Sequence, residues 1–165
     1  MKQGGPKGAE EVVENFDFSK VGPIIIIDDD QSFRLIVHDF LKKQGLTVIQ
    51  CESANHALKY ISRQPWNWHP WLVITDLVMN GMGGFQLLRR LNEVYPQGNI
   101  PFVVISRLTG AEDISEAELA GAAAYLSKPF KKERLLSLMA RINGRQFDKN
   151  QMAFTHDLGQ VMPGR

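Results

Sequence analysis

The sequence predicts an α/β protein whose core is a doubly wound parallel sheet of five strands. Short apolar runs alternate five times with segments in which apolar residues recur at helical spacing. Two of the runs, Ile24–Ile27 and Trp71–Thr75, are apolar at almost every position, as expected of strands buried on both faces. Alternation of this kind favours right-handed crossovers between parallel strands. We therefore expect one sheet with the strand order 2-1-3-4-5 and helices on both of its faces.

Each predicted strand is a short apolar run that ends at a polar residue or a turn. The first consists of four consecutive isoleucines, whose β-branched side chains fit the pleated surface of a sheet, and three carboxylates follow it. The third ends in a single carboxylate, Asp76. The predicted strands are Ile24–Ile27, Leu46–Gln50, Trp71–Thr75, Ile100–Ile105 and Ala122–Leu126.

The helices are predicted from apolar stripes at i, i+3, i+4 and i+7. Gly45 is expected to end the first helix, Ser53 to cap the second, and Gly144 to lie near the end of the last. The fourth, at about 112–120, has the weakest pattern. The apolar stripe of the first helix is Phe33, Ile36, Val37, Phe40 and Leu41, and Leu135, Leu138, Met139 and Ile142 mark the fifth helix as amphipathic. The expected inward residues are Ala54, Ala57, Leu58 and Ile61 in the second helix and Phe85, Leu88, Leu91 and Tyr95 in the third.

Composition limits the classes of function. The chain has 165 residues and a formal net charge of +1. Its Lys and Arg residues form no dense stripe, and no apolar run is long enough to span a bilayer, so we expect neither nucleic acid nor a membrane as a partner. Cys51 is the single cysteine, which excludes an intramolecular disulfide and a cysteine metal cage. These features predict a cytoplasmic location.

Three segments are expected along the chain. Residues 1–20 are rich in glycine and acidic side chains and are interpreted as a flexible N-terminal extension, although Phe16 and Phe18 are suited to docking. Residues 21–145 contain the alternating pattern and are predicted to form one domain. Residues 146–165 are polar and weakly periodic, so they are interpreted as a C-terminal tail.

Polar residues follow four of the predicted strands at their carboxyl ends. They are Asp28–Asp30, Asp76, Ser106 and Lys128. In a doubly wound sheet these ends meet at one crevice, which is where ligands bind. Clustered carboxylates repel one another unless a cation intervenes, and an all-oxygen set favours Mg²⁺, with Mn²⁺ as the alternative, over zinc. A hard cation beside a carboxylate, an amine and a hydroxyl suits phosphoryl transfer.

The segment from residue 21 to 145 resembles the receiver domain of two-component response regulators, including the chemotaxis receivers. The resemblance is carried by four motifs, in this order: Ile26-Ile27-Asp28-Asp29-Asp30, Ile74-Thr75-Asp76-Leu77-Val78-Met79, Val104-Ile105-Ser106, and Leu126-Ser127-Lys128-Pro129-Phe130. It implies a flavodoxin-like fold and a phosphoacceptor switch rather than an enzyme in the usual sense. It also implies Mg²⁺-dependent phosphorylation.

The resemblance also assigns roles to individual residues. It implies that Asp76 is the phosphoacceptor, and that Ser106 and Lys128 contact the phosphoryl group. The metal would be held by Asp28, largely through water, and by Asp29, Asp76 and the backbone carbonyl of Val78. Tyr125 matches an aromatic residue that moves inward on activation, and Pro129 matches a proline that is usually preceded by a cis peptide bond. No role follows for Asp30.

The implied partners are a sensor histidine kinase or a histidine phosphotransfer protein, and a downstream protein target. The target would bind the face formed by the fourth helix, fifth strand and fifth helix, and a second copy of the chain is a further candidate. Two alternatives to a single-domain regulator stay open. Asp28-Asp29-Asp30-Gln31-Ser32 loosely resembles the start of haloacid-dehalogenase phosphatases, and the chain also fits a receiver module of a hybrid histidine kinase.

The sequence departs from the family pattern beside the expected site. Asn80 replaces a usual proline, and Arg107 stands where the family generally has a small residue. Val78 and Leu108, each two residues beyond a site residue, carry apolar side chains that cannot orient a water molecule. We therefore expect the phosphorylated form to last for minutes or longer, with Arg107 either covering the site or pairing outward with Glu112 or Asp113.

Overall fold

The computed structural model describes residues 16–95, 100–143 and 155–157. Within these ranges six parallel strands form one sheet, and helices cover both faces. The strands are β1 (Ile24–Ile27), β2 (Val48–Cys51), β3 (Leu72–Thr75), β4 (Phe102–Ser106), β5 (Ala124–Ser127) and β6 (Thr155–Asp157). The α-helices are α1 (Gln31–Lys43), α2 (Ala54–Ser62), α3 (Gly84–Val94), α4 (Ala111–Leu119) and α5 (Lys132–Asn143). The sheet order is β2-β1-β3-β4-β5-β6, which confirms the predicted order of the first five strands.

Two apolar layers enclose the sheet. Successive residues of a strand point to opposite faces, so Ile24 and Ile26 pack with α1 and α5 while Ile25 and Ile27 pack with α2 and α3. β1 lies between β2 and β3, and all four of its residues are buried. This burial on both sides explains why the central strands are continuous apolar runs. No helix in the described ranges is both long enough and apolar enough to cross a bilayer.

The apolar stripe of α1 is wider than the face that packs on the sheet. Val37 and Leu41 are buried as expected, whereas Phe33 and Phe40 are half-buried and Ile36 is 57% exposed. Ile36 therefore lies at the exposed edge of the stripe. Its side chain lines a cavity between α1 and the loop after β5, together with Phe33 and Phe40.

The end of the N-terminal segment packs onto the domain. Phe18 lies in a short 3₁₀-helix (Phe18–Lys20) and is only 5% exposed, and the ring of Phe16 stacks on Trp71 with centroids 6.4 Å apart. Phe16 and Phe18 thus join the layer that contains α1 and α5, ahead of the domain start expected at residue 21. Residues 1–15 of the predicted extension lie outside the described residues.

A sixth strand extends the sheet beyond the predicted five. β6 pairs in parallel with β5, with Thr155 opposite Ala124 and Asp157 opposite Leu126. It lies in the segment interpreted as a tail. An edge strand needs backbone pairing on one side only, so the polar sequence Thr155–Asp157 carries no apolar signal from which to predict it. The rest of that segment, 146–154 and 158–165, lies outside the described residues, as does Gly144.

Candidate functional site

Asp76 lies immediately after β3, at the carboxyl edge of the sheet. Its backbone N–H donates to the Ile27 carbonyl at 3.0 Å, and its side chain is largely buried. Its Oδ1 accepts the N–H groups of Leu77 at 2.6 Å and Val78 at 3.2 Å, which fixes the orientation of the carboxylate. Gly84 begins α3 directly beneath, where a Cβ atom would lie 2.3 Å from the Asp76 carbonyl oxygen. The close approach of α3 to the end of β3 therefore requires glycine.

Lys128 joins the site across the sheet. Its Nζ donates to Asp28 Oδ2 at 2.6 Å and to Asp76 Oδ2 at 2.9 Å, and its side chain is 10% exposed. The backbone N–H of Lys128 donates to the Ser106 carbonyl at 2.8 Å, and the peptide bond to Pro129 is cis. The predicted convergence of the ends of β1, β3, β4 and β5 is thus present in the structure.

Burial and ion pairing act against each other at these groups. Burial raises the pKa of Asp28, and the hydrogen bond from Lys128 opposes that rise. Burial alone would lower the pKa of Lys128, but its hydrogen bonds to Asp28 and Asp76 outweigh this effect and raise it. Lys128 is therefore held as an ammonium group by the two carboxylates that it bridges.

The loop after β1 is fixed by several contacts. The Asp28 Oδ1 atom accepts the N–H of Asp30 at 2.9 Å, and Nη1 of Arg34 donates to the Asp28 carbonyl at 2.6 Å. Asp30, for which sequence reasoning gave no role, caps α1 by accepting the N–H of Phe33 at 3.1 Å, and this bond lowers its pKa. Asp29 is exposed.

Asn80 connects the loop after β3 to this acidic loop. Its backbone N–H donates to Asp29 Oδ2 at 3.2 Å. The proline usual at this position in the resembled family has no N–H to give, so the departure at Asn80 adds a contact that proline would lack.

The residues present fit a hard divalent cation. Among the described side chains, Lys128 supplies one ammonium group to the two carboxylates of Asp28 and Asp76, and the exposed carboxylate of Asp29 lies on the same loop as Asp28, so these acidic groups outnumber the lysine. Carboxylate oxygens are the ligands that Mg²⁺ prefers. No three His, Cys, Asp or Glu side chains in the described ranges form a ready metal cage, and two of these carboxylates are engaged by Lys128. The set therefore suits an ion that keeps several water ligands rather than one enclosed by protein.

The hydroxyl side of the site is linked to Tyr125. Ser106 is buried, and its Oγ accepts the N–H of Leu108 at 3.3 Å. Tyr125 is 1% exposed, and its hydroxyl donates to the Leu108 carbonyl at 2.7 Å. Burial raises the pKa of Tyr125, a hydrogen bond with Ser106 opposes the rise, and the charges of Asp113 and Asp76 add to it. Tyr125 is thus already buried, and its hydroxyl bonds the loop after Ser106.

Three residues that depart from the family pattern and follow Asp76 or Ser106 in the sequence are exposed. Val78 is 62% exposed, and Arg107 and Leu108 are also exposed. Arg107 makes no ion pair within 4 Å with Glu112 or Asp113, all three of which lie in the described ranges. Together with Lys128 it lines an open cavity of about 510 Å³, the same cavity that Ile36 borders.

Sequence reasoning missed three residues that support the site: Phe33, Arg34 and Gly84. Phe33 was predicted only as part of the apolar stripe of the first helix, but its ring lies over the Lys128 ammonium group, with Nζ 3.9 Å from the ring centroid. A signal for Arg34 existed, because the first turn of a helix that follows an acidic loop places side chains back over that loop. For Gly84 the sequence indicated a turn, and the close approach to Asp76 is visible only in three dimensions.

Comparisons with known proteins agree with this geometry. Residues 24–140 match the family model of the response regulator receiver domain. The chain is 34% identical over 118 residues to the response regulator protein FleR of Pseudomonas aeruginosa, covering 72% of this chain but only 24% of FleR. It is 29% identical over 113 residues to protein PilG of the same species, covering 68% of this chain and 81% of PilG.

A solved structure gives the same result for the fold. The response regulator receiver protein from Pseudomonas putida is similar with a TM-score of 0.66 and 25% identity, over 73% of this chain and 97% of that one. The family match spans well over half of the sequence and contains Asp28, Asp29, Asp76, Ser106 and Lys128. The chain therefore belongs to the response regulator receiver domain family.

Proposed function

We propose that this receiver domain accepts a phosphoryl group on Asp76 from a histidine kinase or a histidine phosphotransfer protein. The observation that carries the proposal is the Lys128 bridge, which places an ammonium group 2.9 Å from the Asp76 carboxylate in a largely buried pocket. Receiver domains as a class act as phosphoacceptor switches and interact with such kinases and with downstream targets. Membership in this family decides against the haloacid-dehalogenase alternative.

The proposed chemistry uses the fixed carboxylate as the nucleophile. An oxygen of Asp76 attacks phosphorus, the bond from phosphorus to the donor histidine nitrogen breaks, and that nitrogen keeps the electron pair and takes up a proton. Lys128 pairs with the phosphoryl oxygens as charge develops, and Ser106 donates a hydrogen bond to one of them. The family generally binds Mg²⁺, for which Asp28, Asp29, Asp76 and the Val78 carbonyl are the proposed ligands, and the ion would neutralise phosphoryl charge.

The proposed output is a change on the face formed by α4, β5 and α5. Tyr125 lies on β5 and its hydroxyl bonds the loop that leads from Ser106 into α4, so movement of Ser106 towards a phosphoryl group would act directly on this bond. Phosphorylation would shift an equilibrium between arrangements that already exist. The edge of β5 is paired with β6, so a partner, whether a target protein or a second copy, meets β6 at this edge.

The test of the acceptor is Asp76→Asn. The protein is incubated with Mg²⁺ and acetyl phosphate, and modified residues are mapped by mass spectrometry. We expect the native chain to carry phosphate on Asp76 and the variant to carry none there, with its fold retained by circular dichroism. Asp39→Asn is the matched control, because Asp39 is an exposed carboxylate on α1 that pairs with His38. Equal phosphorylation of native protein and Asp76→Asn would refute the assignment.

A further inference from the structure

Phe33 touches the site although neither the sequence pattern nor the proposed chemistry gives it a role there. It lies in the first turn of α1, is half-buried, and presents its ring face to Lys128, with Nζ 3.9 Å from the ring centroid. That distance is within the range at which an ammonium group is attracted to the face of an aromatic ring. The attraction is greater where water is excluded, and the Lys128 side chain is 10% exposed.

The ring completes the surroundings of the ammonium group. A lysine ammonium has three N–H donors, and two of those of Lys128 are used by Asp28 and Asp76. The Phe33 ring is a third neighbour that neither protonates nor competes for a metal. Lys128 is thus held by the carboxylates of Asp28 and Asp76 and by the Phe33 ring. Metal binding or phosphorylation changes the charge at the carboxylates but leaves the ring unchanged.

The position of Phe33 is fixed by a backbone contact and by a ring contact. The backbone N–H of Phe33 donates to Asp30 Oδ1 at 3.1 Å, which fixes the start of α1. The ring packs edge to face against Phe130, with centroids 6.1 Å apart and planes at 71°. Phe130 follows Lys128 by two residues, so Phe33 ties the acidic loop to the loop that carries the lysine.

A cavity lies beside the contact between the Phe33 ring and Lys128. This open space of about 510 Å³ is lined by Phe33, Phe130, Arg107 and Lys128 among others. A smaller side chain at position 33 would enlarge it towards the ammonium group. Lys128 would then gain water and alternative positions away from Asp76.

We propose that Phe33 is a positioning residue that keeps the Lys128 ammonium group over Asp76 during phosphoryl transfer. The inference rests on the proposed function, since it assigns the support of a group that acts there. It predicts a dependence on the electron density of the ring face, which a residue that only fills space would not show.

The first experiment compares Phe33→Leu with Phe40→Leu. Phe40 lies on the same helix, lines the same cavity, and has Lys132 Nζ 5.3 Å from its ring centroid, but it does not touch the site. We expect Phe33→Leu to slow phosphorylation by acetyl phosphate by about threefold to tenfold. Phe40→Leu should leave the rate unchanged, and Phe33→Tyr, which keeps a π face, should restore most of it. Equal rates for Phe33→Leu and the native chain would overturn the proposal.

The second experiment keeps the shape of residue 33 and changes its charge distribution. Phenylalanines with one, two and three ring fluorines are incorporated at position 33, which weakens the negative face in steps. We expect the rate to fall with each added fluorine, and a flat series would overturn the proposal even if Phe33→Leu fails to fold.

A third measurement needs no phosphorylation. In the metal-free protein the ε-methylene protons of Lys128 should be shifted upfield by the ring current of Phe33, in the native chain and in Phe40→Leu but not in Phe33→Leu. Identical Lys128 signals in all three would show that the contact is absent in solution. If the native chain shows the ring-current shift and yet is not phosphorylated on Asp76, the proposed function fails while the contact stands.

Discussion

The loops that follow β1 and β4 lie on opposite sides of Asp76 and are held in different ways. The acid loop, residues 28–30, is bonded by Arg34 from α1, by Lys128 from the end of β5 and by Asn80 from the loop after β3. The hydroxyl loop, residues 106–110, is exposed at each position after Ser106 and is reached by the hydroxyl of Tyr125.

This difference separates two tasks in one site. Groups that stabilise transition-state charge are most effective when they are already in place, and the contacts of the acid loop provide this. A switch instead needs an element with two arrangements of similar free energy, and a loop held by few contacts can provide them. We infer that the acid loop serves the chemistry and that the hydroxyl loop beyond Ser106 reports it.

The largest effect on stability and on phosphorylation rate is expected from Lys128, which contacts both the acid loop and Asp76. Lys128→Ala leaves Asp28 and Asp76 buried without their shared cation, and should lower the free energy of unfolding by about 3 kcal/mol in the absence of metal. Loss of a preorganised cation should slow phosphorylation about 100-fold or more. Urea unfolding with and without Mg²⁺, together with acetyl phosphate kinetics, measures both effects.

The matched control is Lys132→Ala, because Lys132 is exposed and lies over Phe40 outside the site. It should change neither quantity. We expect Mg²⁺ to recover part of the stability lost in Lys128→Ala, since binding of the ion supplies the missing positive charge. If Lys128→Ala and Lys132→Ala have the same phosphorylation rate and the same free energy of unfolding, Lys128 does not stabilise the acid loop or the chemistry at Asp76.

What could be predicted from the sequence also differs between parts of the site. Asp76, Ser106 and Lys128 could be placed together because the carboxyl ends of parallel strands meet at one edge of a sheet. Arg34 was missed although its place in the first turn of α1, directly after the acid loop, was a usable signal. Phe33 could not be predicted, because its role depends on the position of the Lys128 ammonium group in three dimensions. The polar strand β6 pairs through its backbone at the edge of the sheet, so the apolar periodicity that predicted the other five strands was absent there.

A smaller effect is expected from two apolar side chains that follow the site residues in the sequence. Val78, two residues after Asp76, and Leu108, two residues after Ser106, are exposed and offer no polar group to hold a water in line with the phosphoryl bond. The double variant Val78→Asn and Leu108→Glu should shorten the lifetime of the phosphorylated form about tenfold, which corresponds to about 1.4 kcal/mol. The decay of phosphorylated protein after removal of the donor measures this lifetime, which we expect to be minutes or longer in the native chain.

Arg107→Ala is the companion variant, since Arg107 lies between Ser106 and Leu108 in the sequence and lines the cavity beside Lys128. This variant distinguishes two explanations of a long lifetime: that Val78 and Leu108 exclude water, or that the Arg107 side chain covers the phosphoryl group. A native lifetime of seconds, or a double variant that decays no faster than the native chain, would contradict the role given to the two apolar side chains.

The smallest effect tests the hydroxyl loop itself. Tyr125→Phe removes the hydroxyl that donates to the Leu108 carbonyl at 2.7 Å and leaves the ring in the core. A hydrogen bond of this kind contributes about 1 kcal/mol, so amide hydrogen exchange at residues 107–110 should speed up about fivefold. Exchange in the acid loop should not change, because its contacts do not involve Tyr125. Tyr95→Phe is the control, since the Tyr95 hydroxyl lies 3.4 Å from the Trp68 carbonyl, away from both loops. Faster exchange in both loops of Tyr125→Phe would mean that they move together, and the division of tasks between them would then be wrong.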